Sequence, residues 1–183
     1  MANRTGTYIA FDGRGEVNPA LSDRSYYSLL QAWDANGDIE FHFVNSHEKT
    51  YAVNDDSKKE TLKARIRQRL SMSKNMVVIL TPDTRDRGSM LSYEIEMAVD
   101  CYKLPLIIVY PKYEYIRNVD SHADVWPTAL SKRIWNGTAH AIHVPFKKDV
   151  ILDAISQFSV NDNPLEGSKN VYSVKAYQSW GLM

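Results

Sequence analysis

The chain has 183 residues, with 22 basic and 22 acidic side chains, so its formal net charge is zero. That length holds one domain with a sizeable core, and the charge balance excludes a nucleic-acid-binding surface spread over the whole molecule. A single cysteine, Cys101, excludes an internal disulfide framework and points to a reducing compartment.

Thr7–Phe11 is a short β-rich run that stops at the turn formers of residues 12–19. In the next segment Tyr26, Leu29, Leu30 and Trp33 recur at helical spacing, with Ser22 or Asp23 as a cap and Asn36-Gly37 as an end. Ile39, Phe41 and Phe43 alternate with Glu40, His42 and Val44, which predicts a half-buried strand. Ser57 and Glu60 stand at capping-box spacing before the stripe Leu62, Ile66, Leu70. Met76–Leu80 is apolar throughout, the pattern of a central parallel strand covered on both faces. A third helix runs through Ser89–Asp100, and a second apolar strand through Leu104–Tyr110. Residues 111–138 are rich in Tyr, Asp and Trp, with one helix near Pro127–Trp135. A strand at Ala139–Val144 and a helix with Val150, Ile151, Ala154, Ile155 and Phe158 facing inward complete the pattern.

Five strands alternating with helices predict an α/β fold: a flavodoxin-like, doubly wound five-stranded parallel sheet with helices on both faces. The expected organisation is an α/β domain over 1–160 and a C-terminal tail over 161–183, docked through Val171, Tyr172, Val174, Tyr177 and Trp180. No apolar run reaches signal-peptide or membrane-span length, so a cytoplasmic protein is expected, with neither membrane nor nucleic acid as partner.

Ligands of such sheets bind beyond the carboxyl ends of the strands. The first rim loop has Gly13-Arg14-Gly15 but lacks the third glycine of a dinucleotide fingerprint, so a plain rim loop is the simpler reading. Within it Asp12 and Arg14 are candidates to meet a ribose or phosphate, and Phe11 to stack. His47 lies at the rim as a further candidate contact. His140 and His143, three apart on a strand, face opposite ways and make no joint metal site; no metal is expected. Cys101 reads as a buried structural thiol, and the basic run Lys63–Arg69 as a solvated helix face. A phospho-receiver reading finds only approximate matches in Asp12, Asp83 and Lys147.

The third helix carries Glu94 and Glu96 in SMLSYEIEMAVD. Leu91, Ile95, Ala98, Val99 and Tyr102 define its buried face. At about 100° per residue, Glu94 falls roughly 80° from the centre of that face and Glu96 roughly 120°. Glu94 is therefore expected at the pocket boundary and Glu96 toward water. On geometry alone a solvated, charge-balancing Glu94 is the plainer reading.

The stretch NMVVILTPDTRDRGSMLSYEIEMAVD resembles the third strand, loop and third helix of a TIR domain, and more closely the TIR-like proteins of the bacterial Thoeris antiphage system. The resemblance rests on a Thr-rich loop after the strand, then Tyr93-Glu94-Ile95 followed by Ala98 and Val99, and the element order fits from about Thr7 to Phe158. Met90 is a departure, standing where many TIR domains carry tryptophan. The R-D-x-x-P-G loop of animal adaptor TIR domains is also absent, and that second departure favours the bacterial enzyme-type branch over an adaptor. The resemblance implies NAD⁺ as substrate rather than as resident cofactor. Glu94 is then catalytic, cleaving the nicotinamide–ribose bond; the product is cyclised to an ADP-ribose isomer. That diffusible nucleotide signal would activate a partner effector, with a phage protein as trigger and self-association as a further partner mode. Phe11 and Asp12 would line the pocket, Thr81, Asp83 and Thr84 would sit near the ribose, and Arg14 or Arg85 would take a phosphate. Tyr113 or Tyr115 would stack on nicotinamide or adenine. The alternatives are a non-catalytic TIR-like scaffold, a nucleotide-binding interaction module, and the receiver-like phospho-acceptor.

Overall fold

A computed structural model of the chain describes residues 3–13, 24–35, 43–44, 56–84 and 90–183. Four full strands, β1 (Gly6–Ala10), β3 (Ser73–Ile79), β4 (Leu106–Tyr110) and β5 (Ala141–Pro145), lie parallel, and the two-residue β2 (Phe43–Val44) adds a fifth, in the order β2-β1-β3-β4-β5. The chain is thus an α/β protein of flavodoxin-like topology. Because parallel neighbours need crossover connections, helices end up on both faces. These are α1 (Arg24–Ala35), α2 (Asp56–Met72), α3 (Leu91–Glu96), α4 (Thr128–Trp135) and α5 (Lys148–Gln157).

Strand pleating sorts the side chains between two cores. Tyr8 and Ala10 of β1 pack with Ile66 and Leu70 of α2, Leu91 and Ile95 of α3, and Leu130 and Ile134 of α4. Ile9 and Phe11 go the other way, to Tyr27 and Leu30 of α1 and to Val150, Ile151, Ala154 and Ile155 of α5. This assignment places Tyr8, and not Phe11, on the face that α3 covers.

Three local differences from the sequence reading have physical causes. β3 begins at Ser73 rather than Met76 because Asn75, polar but buried, is fully engaged. It accepts from the Thr7 hydroxyl at 2.7 Å, and its amide donates to the carbonyls of Ile155 at 2.9 Å and Phe158 at 2.7 Å. The third helix stays α-helical only to Glu96 and continues as a π-helix over Met97–Cys101. That wider i→i+5 turn abandons the 100° step. Cys101, expected to be buried because a lone thiol usually is, is exposed. Lys103 closes the turn in the left-handed region at φ 55, and the Leu104 amide donates to Ala98 at 2.9 Å.

Residues 161–183 lie against the domain. Gly167 and Asn170 bond the outer edge of β5: the amides of Ala141 and His143 donate to Gly167 and Asn170 at 2.9 Å each, and the Asn170 amide returns a bond to Ala141 at 3.2 Å. A last helix, α6 (Val174–Ser179), is capped by Ser173, whose hydroxyl oxygen accepts from the Ala176 amide at 3.2 Å. Tyr177 is fully buried in the α1/α5 core. The predicted cap residues 22, 23, 36 and 37 and most of the strand over 39–45 lie outside the described residues. Among those described, no helix is long and apolar enough to cross a membrane, and no cluster of three metal-ligating side chains occurs.

Candidate functional site

Glu94 sits one turn into α3, its amide bonded to the Met90 carbonyl at 2.9 Å. α3 lies on the sheet face to which Tyr8 of β1 projects, so the glutamate can meet that side chain. The Tyr8 hydroxyl donates to Glu94 Oε1 at 2.6 Å. Both residues are buried, Tyr8 at 0% exposure and Glu94 at 2%. The sequence expectation put Glu94 on the pocket boundary; the structure draws its carboxyl inward, because a buried tyrosine hydroxyl offers a partner there. Glu96, as expected, faces solvent, within 3.9 Å of Arg133. Arg133 also pairs with Asp100.

Burial pushes the Glu94 carboxyl up to about 7, against the Tyr8 hydrogen bond and the positive charge of Arg69 on α2, which both favour the anion. Among the described residues the carboxyl's one hydrogen-bond partner is Tyr8, which leaves Glu94 Oε2 a buried oxygen without a donor there. Beside it, Tyr93 receives the Arg67 guanidinium at 2.8 Å and lies under the Lys63 ammonium, 5.5 Å from its ring centroid. The basic run on α2 is therefore partly drawn onto α3 rather than wholly solvated.

The other candidates separate. Asp12 is fully buried just beyond the carboxyl end of β1. Phe11 is buried on the opposite face and stacks on Tyr27, with ring centroids 5.2 Å apart, so its ring is engaged within the core. Thr81 and Thr84 close a turn on each other. The Thr81 amide donates to Thr84 Oγ1 at 2.9 Å, and the Thr84 amide to the Thr81 carbonyl at 3.0 Å. Asp83 projects from that turn into solvent. Tyr113 and Tyr115, 45% and 44% exposed, stand on the segment after β4. Tyr113 meets His122 edge-on at 4.5 Å, and Tyr115 leans on Tyr177 at 6.2 Å. Arg14, His47 and Arg85 lie outside the described residues.

Sequence reasoning missed two features. Tyr8 is the first; its signal was a tyrosine inside an apolar strand, where a buried hydroxyl requires a partner. The second is a chain of bonds at the carboxyl ends of β4 and β5. Trp126 Nε1 donates to the Tyr110 hydroxyl at 2.8 Å, and Tyr110 lies 2.8 Å from His143 Nδ1. His143 Nε2 lies 2.9 Å from the Ser168 carbonyl, which only accepts, so the ring proton is on Nε2 and Nδ1 accepts from Tyr110. Burial pushes His143 down to about 4, so this histidine is a neutral structural link between β5 and the C-terminal segment.

A TIR-like α/β domain with one buried glutamate at the head of the helix after β3 is the class this fold and site define. The family model of Thoeris protein ThsB, TIR-like domain, matches residues 8–115, more than half of the chain. The chain belongs to that family and is an antiphage defence TIR-like domain.

Proposed function

We propose that the chain cleaves the nicotinamide–ribose bond of NAD⁺ and closes the remainder into a cyclic ADP-ribose isomer. That nucleotide leaves as a cytoplasmic signal to an effector protein, once a phage component has triggered the enzyme. The observation that carries the reading is the single carboxyl of Glu94 on α3, held by the Tyr8 hydroxyl of β1 and buried within a Thoeris-family domain.

The chemistry suits one acid. Glycosidases use two carboxylates because an alkoxide leaving group must be protonated. The nicotinamide ring of NAD⁺ is already cationic and departs neutral with the electron pair of its bond to the ribose, so no proton donor is needed. The site must hold the ribose and stabilise the oxocarbenium-like charge, and one carboxylate can do both. Exclusion of water then lets a nucleophilic atom of the same molecule capture the cation, which closes a ring instead of releasing free ADP-ribose. Asp12, Thr81, Asp83 and Thr84 are the candidates for ribose contacts, Tyr113 and Tyr115 for stacking, and Arg14 or Arg85 for a phosphate.

The test is incubation of purified protein with NAD⁺, with and without lysate from infected cells, following nicotinamide by chromatography. Glu94→Gln is expected to lower release by roughly 100-fold or more. Release that survives the substitution removes Glu94 from the chemistry. The near-complete burial of Glu94 also suits a second reading, a non-catalytic TIR-like scaffold. That reading expects NAD⁺ to remain intact in both arms.

A further inference from the structure

The two oxygens of Glu94 stand in different situations. Oε1 accepts from the Tyr8 hydroxyl at 2.6 Å, while Oε2 has no donor among the described residues. Cγ, Cδ and one fixed oxygen define the plane of a trigonal carboxyl, so the Tyr8 bond to Oε1 decides where Oε2 points. A buried oxygen left without a partner is costly unless a further donor completes it. We propose that Tyr8 is a positioning residue of the active site: its hydroxyl anchors Glu94 Oε1 and leaves Oε2 as the oxygen that meets the ribose.

The inference rests on the NAD⁺ reading for what Oε2 meets, but not for the anchoring itself. Tyr8 is suited to the task by its surroundings. It is a central-strand residue at 0% exposure, packed among Ile66, Leu70, Leu91 and Ile95, so its ring has no room to turn away. Among the described residues, three arginines bear on the pair. From α2, Arg69 acts on Glu94 by its charge, while Arg67 is bonded to Tyr93. From α4, Arg133 is held by Asp100 and Glu96 on the outer side of the third helix. An O–H donor strengthens as its acceptor becomes anionic, so the anchor also favours the ionised carboxyl.

The experiment is a carbon-13 titration of the Glu94 side-chain carboxyl in full-length protein labelled at glutamate, the resonance assigned by its loss in Glu94→Gln. Tyr8→Phe removes one oxygen and nothing else from the core. It is expected to move the Glu94 midpoint upward by about one pH unit, a tenfold change in proton affinity. The acid limb of the nicotinamide-release profile moves with it. A midpoint unchanged by Tyr8→Phe overturns the proposal. Replacement of Tyr8 by 3-fluorotyrosine keeps the side chain and sharpens its donor, and is expected to move the midpoint down. This arm decides the matter if Tyr8→Phe does not fold, and an unmoved midpoint there also overturns the proposal. The titration needs no turnover. A shifting midpoint with intact NAD⁺ upholds the anchor and discards the reaction; cleaved NAD⁺ with a fixed midpoint does the reverse.

Discussion

Glu94 and His143 impose opposite pH slopes on the stability of this fold. A glutamate that titrates at about 7 when folded and 4.5 when free holds its proton more tightly in the folded chain. The fold therefore loses stability as pH rises from 4.5 to 7. His143 titrates at about 4 when folded and 6.5 when free, so it binds its proton less tightly in the fold, and stability is lost as pH falls from 6.5 toward 4. At about 1.4 kcal/mol per pH unit, each gap is worth about 3 kcal/mol. Between about pH 4.5 and 6.5 the two slopes cancel to first order, which leaves the wild-type chain nearly flat as far as these groups are concerned. Glu94→Gln keeps the shape and still offers an oxygen to Tyr8, but it takes up no proton. The variant is expected to be more stable than wild type by about 2–3 kcal/mol at pH 8, a rise in Tm of about 5–10 °C, and within about 1 kcal/mol of it at pH 5. It also unmasks His143, so its stability climbs from pH 4 to 6.5 and then levels. Urea unfolding followed by circular dichroism at pH 5, 6.5 and 8, at constant ionic strength, reads both effects. A variant that tracks the wild-type pH profile, or is less stable at pH 8, refutes the reasoning.

Asn75→Ala strips three hydrogen bonds from the foot of β3 and leaves the Thr7 hydroxyl and the Ile155 and Phe158 carbonyls without their partner. A loss of about 2–4 kcal/mol is expected by urea unfolding, and a loss below about 1 kcal/mol would show that water replaces the amide. Tyr177→Phe removes the hydroxyl that accepts from the Ile116 amide at 3.3 Å and donates to the Ile116 carbonyl at 3.2 Å. About 1 kcal/mol is expected, together with faster hydrogen exchange in the segment after β4; unchanged exchange there would mean that the C-terminal helix does not hold that segment.

The sheet was legible because its strands are covered on both faces. Met76–Ile79 and Leu106–Tyr110 are runs of apolar residues, and a buried parallel strand tolerates little else. The foot of β3 was not legible, since Ser73 and Asn75 look like loop residues until partners from α5 and β1 are in place. The α-helical step correctly turned Glu96 outward. Cys101 was misread from its residue type, because a lone thiol is most often buried, and nothing in the residues announces the π-turn that carries it. Phe11 was read as a rim residue. It lies beyond the last strand residue, where strand parity still sends it to the α1 face and onto Tyr27. Glu94 was placed from its own helix alone, but its orientation is set by a hydroxyl 86 residues earlier in the chain. Local pattern gives the face a side chain starts from. Which way its polar end turns depends on a partner that only the topology supplies.

The energetic position of Glu94 bears on what the carboxyl is for. At neutral pH its burial withholds about 3 kcal/mol from a fold whose net stability is of order 5–15 kcal/mol. A glutamine would accept from Tyr8 equally well without that penalty, and an aliphatic side chain would suit the neighbouring Leu91 and Ile95 better. The carboxyl is therefore poorly explained as packing. It becomes reasonable if a cation arrives from outside. Near pH 7 the group is close to half ionised, and a positive charge brought beside it favours the anion. In the proposed reaction the nicotinamide ring of NAD⁺ would be such a charge before the bond breaks, and the ribose would carry it afterwards. The burial that weakens the free chain would then strengthen the attraction in the loaded one, since a low-dielectric site amplifies both terms. A carboxyl that costs stability when empty and is stabilised by a bound cation is a common arrangement for groups placed for function rather than for folding.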